Sequence, residues 1–215
     1  MSSHRETFRM SKRQFNPLDP VVIEYAYRQG FFPMPHPTTQ EVLWFDPNPR
    51  TIIPLDGLHV SRSLEKSMRK RGYQTTWDQA FDAVVRGCAS RKETWINQEF
   101  MNMYHEMFVR GVAHSVEVWK SGELVGGVFG LHFNGVFNGE SMFSTATDAS
   151  KVALVELVRI LNVARVQLFE VQFMTSHLAS LGAIEVPALD YHKTLDEALK
   201  VVVSWPDFNA RSPQT

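Results

Sequence analysis

The sequence predicts an α+β fold. A small N-terminal domain (residues 1–58) precedes a larger one (residues 59–215) built on a mixed, mostly antiparallel sheet with flanking helices. Three observations predict it. Apolar residues recur at helical spacing from residue 59 to residue 111, then alternate along the next three segments. The pair Asn134-Gly135 sits between two alternating runs and is the strongest short hairpin signal in the chain. A long helical pattern, DASKVALVELVRILNVA, then separates those runs from later strand segments, which calls for a crossover back to the sheet.

Residues 1–20 carry no steady periodicity and read as a partly disordered arm. A short helix is expected from Asp19 or Pro20 through VVIEYAYRQ, ending at Gly30. The next stretch, FFPMPHPTTQEVLWFDPNPR, is proline-rich and reads as loop or extended chain carrying Phe31, Phe32, Trp44 and Phe45. Ser61 is placed to cap a helix with Leu64 and Met68 on one face and Gly72 at its end. Arg62, Lys66, Arg69 and Lys70 fall on the opposite face. Asp78 starts a second helix with Phe81, Val84, Val85 and Cys88 at i, i+3, i+4 and i+7, and Phe100, Met103, Tyr104 and Met107 repeat that spacing before Gly111. The strands HSVEVWK, LVGGVFGLHF and VFNGESMF follow, then the long helix, the strand VQLFEVQF, a short helix around SHLASLG and a last strand AIEVPALD.

Composition narrows the function class. With 44% hydrophobic and 21% charged residues the chain is of ordinary globular composition, which excludes a disordered, collagenous or coiled-coil protein. No apolar run approaches the ~18 residues of a spanning helix, and the basic start MSSHRETFRMSKRQF lacks the apolar stretch of a secretory signal. The single cysteine, Cys88, cannot form an internal disulfide. A cytoplasmic protein without membrane attachment is the expectation. The net charge is −1, but residues 62–71 hold five basic side chains against one acid, a local hint of a polyanionic partner beside the commoner reading of a solvated face. No histidine pattern has metal-ligand spacing, and Gly126, Gly127 and Gly130 miss the dinucleotide fingerprint, so neither metal nor cofactor is expected. Ser141 in GESMF lacks the second glycine of a nucleophile elbow.

The polar groups that remain lie on strands. Glu140 stands on the third alternating strand. Glu170 and Gln172 are two apart on VQLFEVQF, which puts both on one face if the strand runs through them. An acid and an amide on an otherwise apolar strand either face solvent in a salt-bridged pair or serve as a general base and its partner.

The order β-β-β-α-β-α-β is that of a GNAT-type acyltransferase core. The glycine-rich loop that binds the coenzyme A pyrophosphate in such enzymes is replaced here by STATDASK, which has no glycine. The segments AYRQGFFPMP, VLWFDPNPR, HVSRSLEK, CASRKETWI, AHSVEVW, LVGGVFG, GESMFS, DASKVAL and SHLASLGA resemble, in order, successive blocks of the leucyl/phenylalanyl-tRNA–protein transferase family over roughly residues 25–190. The resemblance implies a GNAT-like domain after a small N-terminal domain. It also implies transfer of Leu, and also Phe or Met, from aminoacyl-tRNA to the N-terminal amine of proteins that begin with Arg or Lys. Such transfer marks proteins for degradation through their N-terminus. The enzyme so implied acts without cofactor or metal, as a monomer.

By the same resemblance Glu170 is the general base and Gln172 its assistant, Glu140 lies near the aminoacyl group, and Trp95 contacts the 3′ adenosine. Ser144 belongs with the substrate-contacting residues, and Val128, Phe137, Leu157 and Leu161 line the aminoacyl side-chain pocket. Arg62, Lys66 and Lys70 meet phosphates of the acceptor arm. The sequence departs from the family pattern in three places: Glu170 stands where aspartate is common, Met34 stands where better-known members carry tryptophan, and the glycine-rich segment common before AYRQG is absent. Three other readings stay open: a related transferase with changed donor or acceptor, an acyl-CoA enzyme, and a non-catalytic homologue that binds tRNA or protein N-termini.

Overall fold

A computed structural model describes residues 16–205 and Phe208; the arm expected over residues 1–20 lies outside the described residues as far as residue 15. Pro20 opens the first helix, α1 (Pro20–Arg28), where its missing N–H is no loss, and the Asp19 side chain accepts from the Val21 amide. The proline-rich stretch is extended but not irregular. It forms a hairpin of β1 (Phe32–Pro35) and β2 (Val42–Phe45), turns through a cis Asn48–Pro49 bond, and continues as β3 (Arg50–Ile52).

The chain from residue 62 onward builds all of the main sheet except β3. Helix α2 (Arg62–Lys70) has its Ser61 cap, and leads to a strand the periodicity did not announce, β4 (Gln74–Trp77). Helix α3 (Phe81–Ala89) starts later than expected, because Asp78 sits at φ 56° and turns its carboxylate to the Ser115 amide instead of capping. Then come α4 (Gln98–Val109), the meander β5 (Ala113–Lys120), β6 (Glu123–Phe133) and β7 (Val136–Ser144), and helix α5 (Ala149–Ala164). Strand β8 is only Leu168–Glu170, followed by α6 (Ser176–Ala179) and β9 (Ile184–Val186). The last strand expected from AIEVPALD stops at Pro187. Beyond it Tyr191, Leu195 and Ala198 form the buried stripe of a further helix, α7 (Ala188–Ala198).

The seven-stranded sheet runs β4-β5-β6-β7-β8-β3-β9, with only β7 and β8 parallel. This is a mixed α+β fold with a mostly antiparallel sheet. The β1–β2 hairpin stands apart as a second small sheet, whereas β3, from the same N-terminal stretch, is inserted between β8 and β9. Side chains alternate between two cores. Val116, Val128, Phe137 and Phe169 face α5, and Phe129, Leu131 and Phe143 join α1, α3 and α4. Each such fully buried side chain contributes about 1.5–3 kcal/mol. The strand glycines serve close packing: a Cβ on Gly126 would lie 2.7 Å from Ala149 of α5, and one on Gly127 would lie 2.8 Å from Val84 of α3.

Candidate active site

The site forms where β7 and β8 lie side by side. In β7, Gly139 pairs with Gly130 and Ser141 with Phe129, so Glu140 is the extra residue of a β-bulge. The bulge lets Glu140 share the face of Asn138 and still leaves Phe143 on the α3–α4 side. Glu140 is buried and collects three donors. Tyr27 Oη of α1 donates to Oε1 at 2.7 Å, Tyr104 Oη of α4 to Oε2 at 2.7 Å, and Gln172 Nε2 to Oε2 at 3.2 Å. A group met only by donors is set up as a carboxylate. Burial nevertheless pushes its pKa up to about 7 against the pull of the tyrosine hydroxyls, and the charge of Glu170 adds to the rise. The tyrosines are shifted the same way, by burial first and by Glu140 second, so both stay protonated donors.

Glu170 ends β8 and is 1% exposed. Its Oε1 accepts from the Gln172 backbone N–H at 3.0 Å and pairs with Arg50 Nη2 at 3.1 Å. Burial pushes it, too, up to about 7, and Arg50 opposes that rise. The expectation that Glu170 and Gln172 leave one face of a continuous strand is corrected here. The strand stops at Glu170, and Gln172 has φ 65°, a left-handed turn that aims its amide at Glu140.

A cleft of about 460 Å³ runs over this cluster, lined by Glu140, Gln172, Trp95, Met34 and Ser144, and also by Arg91, Phe173 and His177. Glu170 does not line it; the carboxylate lies behind Gln172. A second cavity of about 70 Å³ opens beside Glu140, Ser141 and Met142, all of which border the cleft as well. Its other walls are Val128, Gly139, Leu154, Phe169, Val171 and Leu178, which supply no charged side chain. Of the four residues expected around an aminoacyl side chain, Val128 lines this pocket. Phe137, Leu157 and Leu161 lie deeper in the same core, each no more than 1% exposed. A third cavity of about 630 Å³ shares Met34 and Trp95 with the cleft, so these two side chains stand at the junction. Trp95 is held edge-on by Phe100 and Tyr104, with ring centroids 5.2 and 6.2 Å away.

Arg62, Lys66 and Lys70 project from the exposed face of α2, which Leu64 and Ser67 anchor on the other side. Ser144 is exposed at the cleft edge, its hydroxyl donating to Ala146 O at 2.6 Å. Sequence reasoning did not single out Arg50, Tyr27 or the role of Tyr104. Tyr104 carried a helical core signal, and Arg50 stood inside the block VLWFDPNPR, but neither signal names the partner carboxylate. Among the described residues no cluster of three or more His, Cys, Asp or Glu is placed to hold a metal, and no helix is long and apolar enough to cross a membrane.

The family model described as leucyl/phenylalanyl-tRNA protein transferase matches residues 52–196, and the model of that family's N-terminal domain matches residues 16–48. A leucyl/phenylalanyl-tRNA–protein transferase of Ruegeria pomeroyi is 46% identical over 198 residues, covering 92% of this chain and 94% of the relative. One of Herpetosiphon aurantiacus is also 46% identical, over 89% of this chain and 97% of the relative. Among solved structures, L-PGS from Bacillus licheniformis is matched at a TM-score of 0.40 and 14% identity, over 70% of this chain and 51% of that one, too distant to bear on the fold. By the identity and coverage of its relatives and the extent of the family match, this chain belongs to the leucyl/phenylalanyl-tRNA–protein transferase family and is an aminoacyltransferase.

Proposed function

We propose that this enzyme transfers Leu, and also Phe or Met, from aminoacyl-tRNA to the α-amine of proteins beginning with Arg or Lys. The reaction takes place in the cytoplasm, and its products are degraded through their new N-terminus. The observation that carries this reading is the junction of a wide cleft with a small apolar pocket at Glu140. The pocket receives the donor's side chain, Glu140 receives its α-amino group, and the adenosine of the tRNA end rests between Trp95 and Met34. Ser144 borders the same cleft, and the exposed face of α2, with Arg62, Lys66 and Lys70, follows acceptor-arm phosphates. Phe137, Leu157 and Leu161 support the pocket from behind. The domain is read as GNAT-like, residues 1–58 as its N-terminal partner, and the enzyme as a monomer.

In the reaction the acceptor amine nitrogen attacks the ester carbonyl carbon. A C–N bond forms, the C–O bond to the tRNA ribose breaks, and the nitrogen's proton ends on the ribose oxygen. The ester is already activated, and an α-amine with a reference pKa of about 7.7–8.0 is partly neutral at physiological pH. Alignment, worth up to about 7–11 kcal/mol, therefore outweighs general base catalysis, whose ~10²–10⁴-fold corresponds to about 3–5 kcal/mol. Gln172 Oε1 accepts from the attacking amine, and Glu170 acts through Gln172, since the carboxylate stands behind it. An apolar pocket excludes charged donor side chains but separates Leu from Met or Phe only modestly, at ~1–3 kcal/mol per methylene.

The test is transfer of labelled leucine from Leu-tRNA to a reporter beginning with Arg, beside one beginning with Asp, with RNase-treated donor as the blank. Label on the Arg reporter alone is expected. Label on neither, or efficient transfer from Arg-tRNA, would overturn the assignment of the pocket and of the acceptor.

A further inference from the structure

We infer that Arg50 is a positioning residue for the transfer: it fixes Glu170 Oε1 against the Gln172 backbone N–H and so holds the turn that presents the Gln172 side chain to Glu140. The inference rests on the role given above to Gln172. Arg50 opens β3, the three-residue strand inserted between β8 and β9, and it is 1% exposed. Its guanidinium is held through both terminal nitrogens, while Nε is buried with no hydrogen-bond partner among the described residues. Nη1 donates to Gly30 O at the end of α1 at 2.7 Å and to Asp46 Oδ1 at 2.9 Å, and Nη2 lies 3.1 Å from Glu170 Oε1. Its carbon lies over the rings of Tyr191 on α7 at 4.0 Å and Phe32 on β1 at 5.5 Å. A planar fork between two rings with three oxygen acceptors is a geometry that arginine meets and lysine does not.

What this clamp acts on is the catalytic turn. Gln172 has a left-handed backbone, sparsely populated for a residue with a Cβ, so something must hold it there. The Glu170 carboxylate does so by accepting the Gln172 amide, and Arg50 in turn fixes that carboxylate. The charged or titratable groups around Glu170 are Arg50 of β3, Asp46 ahead of it, Glu140 of β7 and Tyr191 of α7. Tyr27 of α1 also feels the charge of Glu170 and bonds Glu140, and His192 of α7 reaches the cluster through Asp46. Arg50 is the cation that touches Glu170, and no described residue bonds Glu170 Oε2. A salt bridge that merely tied β3 to β8 would have no reason to be coupled to the Gln172 amide.

The test compares wild type, Arg50→Lys, Arg50→Met, Glu170→Gln, the double variant Arg50→Met/Glu170→Gln and the surface control Arg110→Met. Thermal unfolding establishes the folded fraction. Two readouts follow: single-turnover leucine transfer across pH, and hydrogen exchange of the Gln172 amide, which needs no substrate. For Arg50→Lys we expect kcat at least 30-fold lower with KM for Leu-tRNA within threefold. We also expect an acid limb moved to higher pH and a Gln172 amide exchanging at least tenfold faster. The double variant leaves no orphaned charge and supplies the folded comparison if Arg50→Lys is unstable; it is expected to be no slower than Glu170→Gln by more than threefold. An unchanged amide in folded Arg50→Lys, an equal loss in kcat and KM, or fully additive losses in the double variant would each overturn the inference. If wild type moves no leucine while the amide result stands, the proposed reaction fails and the positioning role of Arg50 does not.

Discussion

Removing the Tyr104 hydroxyl tests whether transfer uses Glu140 as an ionised acceptor. Tyr104→Phe deletes a 2.7 Å donor to Oε2 and leaves the ring against Phe129, whose centroid is 4.8 Å away. A hydrogen bond to a charged group is worth ~1.5–3 kcal/mol, and one pH unit corresponds to about 1.4 kcal/mol. The loss therefore raises the Glu140 midpoint, already pushed up to about 7 by burial, by about one to two pH units. At pH 7.5 the ionised fraction falls from about three-quarters to between about a quarter and a few per cent, and the rate falls roughly 3- to 25-fold. The rate recovers in alkali. The assay is single-turnover leucine transfer from pH 6 to 10, corrected for spontaneous ester hydrolysis, with thermal unfolding as the control for folding. A profile superimposable on wild type, or a loss that does not depend on pH, would refute the reasoning.

Four further outcomes are expected. Glu140 and Glu170 have folded midpoints of about 7 against an ordinary value of 4.5, so the folded chain holds protons that the unfolded chain has released. The stability they contribute is present below about pH 4.5 and lost as pH rises towards about 7; urea midpoints should fall over that window, and Glu140→Gln should flatten the fall. Val128→Ala enlarges the apolar pocket and should raise the ratio of Phe to Leu transfer by about tenfold, measured by competition between the two charged tRNAs. Trp95→Ala should raise KM for aminoacyl-tRNA by roughly 5- to 150-fold at little change in kcat, since stacking on a base is worth ~1–3 kcal/mol; a kcat effect alone would count against its place at the tRNA end. Replacing Arg62, Lys66 and Lys70 by Ala should weaken tRNA binding and reduce the salt slope by about one for each phosphate no longer neutralised; an unchanged slope would remove α2 from the interface.

The parts of this molecule legible in the sequence are those whose pattern is local. Helices α1 to α5 announce themselves through a buried stripe, α1 and α2 also through caps at Asp19 and Ser61, and β5 to β7 through alternation and Asn134-Gly135. Strands β8 and β9 lie where VQLFEVQF and AIEVPALD predict strand but keep only three residues each, and β3, read as loop or extended chain, is too short to show a period and has its partners far away in the chain. Helix α7 is hidden by Pro187, which reads as part of a strand when it is the residue from which the helix starts. At the site, Glu140, Gln172, Trp95 and Ser144 come together around one cleft, and Val128 lines the pocket beside it. The position of Glu170 behind Gln172 is not readable, because it depends on a left-handed turn where alternation predicts continuing strand. Nor is the burial of Arg50, since a charged residue is buried only where long-range partners meet it.

The insertion of β3 also bears on how the enzyme comes into being. Ile52 pairs with Glu170 on one side and Ile184 on the other, so an early segment must wait for almost the whole sheet to be synthesised before it finds either neighbour. Contacts so distant along the chain close slowly. Until they close, Glu170 has no guanidinium beside it, and the facing edges of β8 and β9 are unpaired. The side of the sheet that carries Glu170 is therefore completed by a segment from the opposite end of the chain.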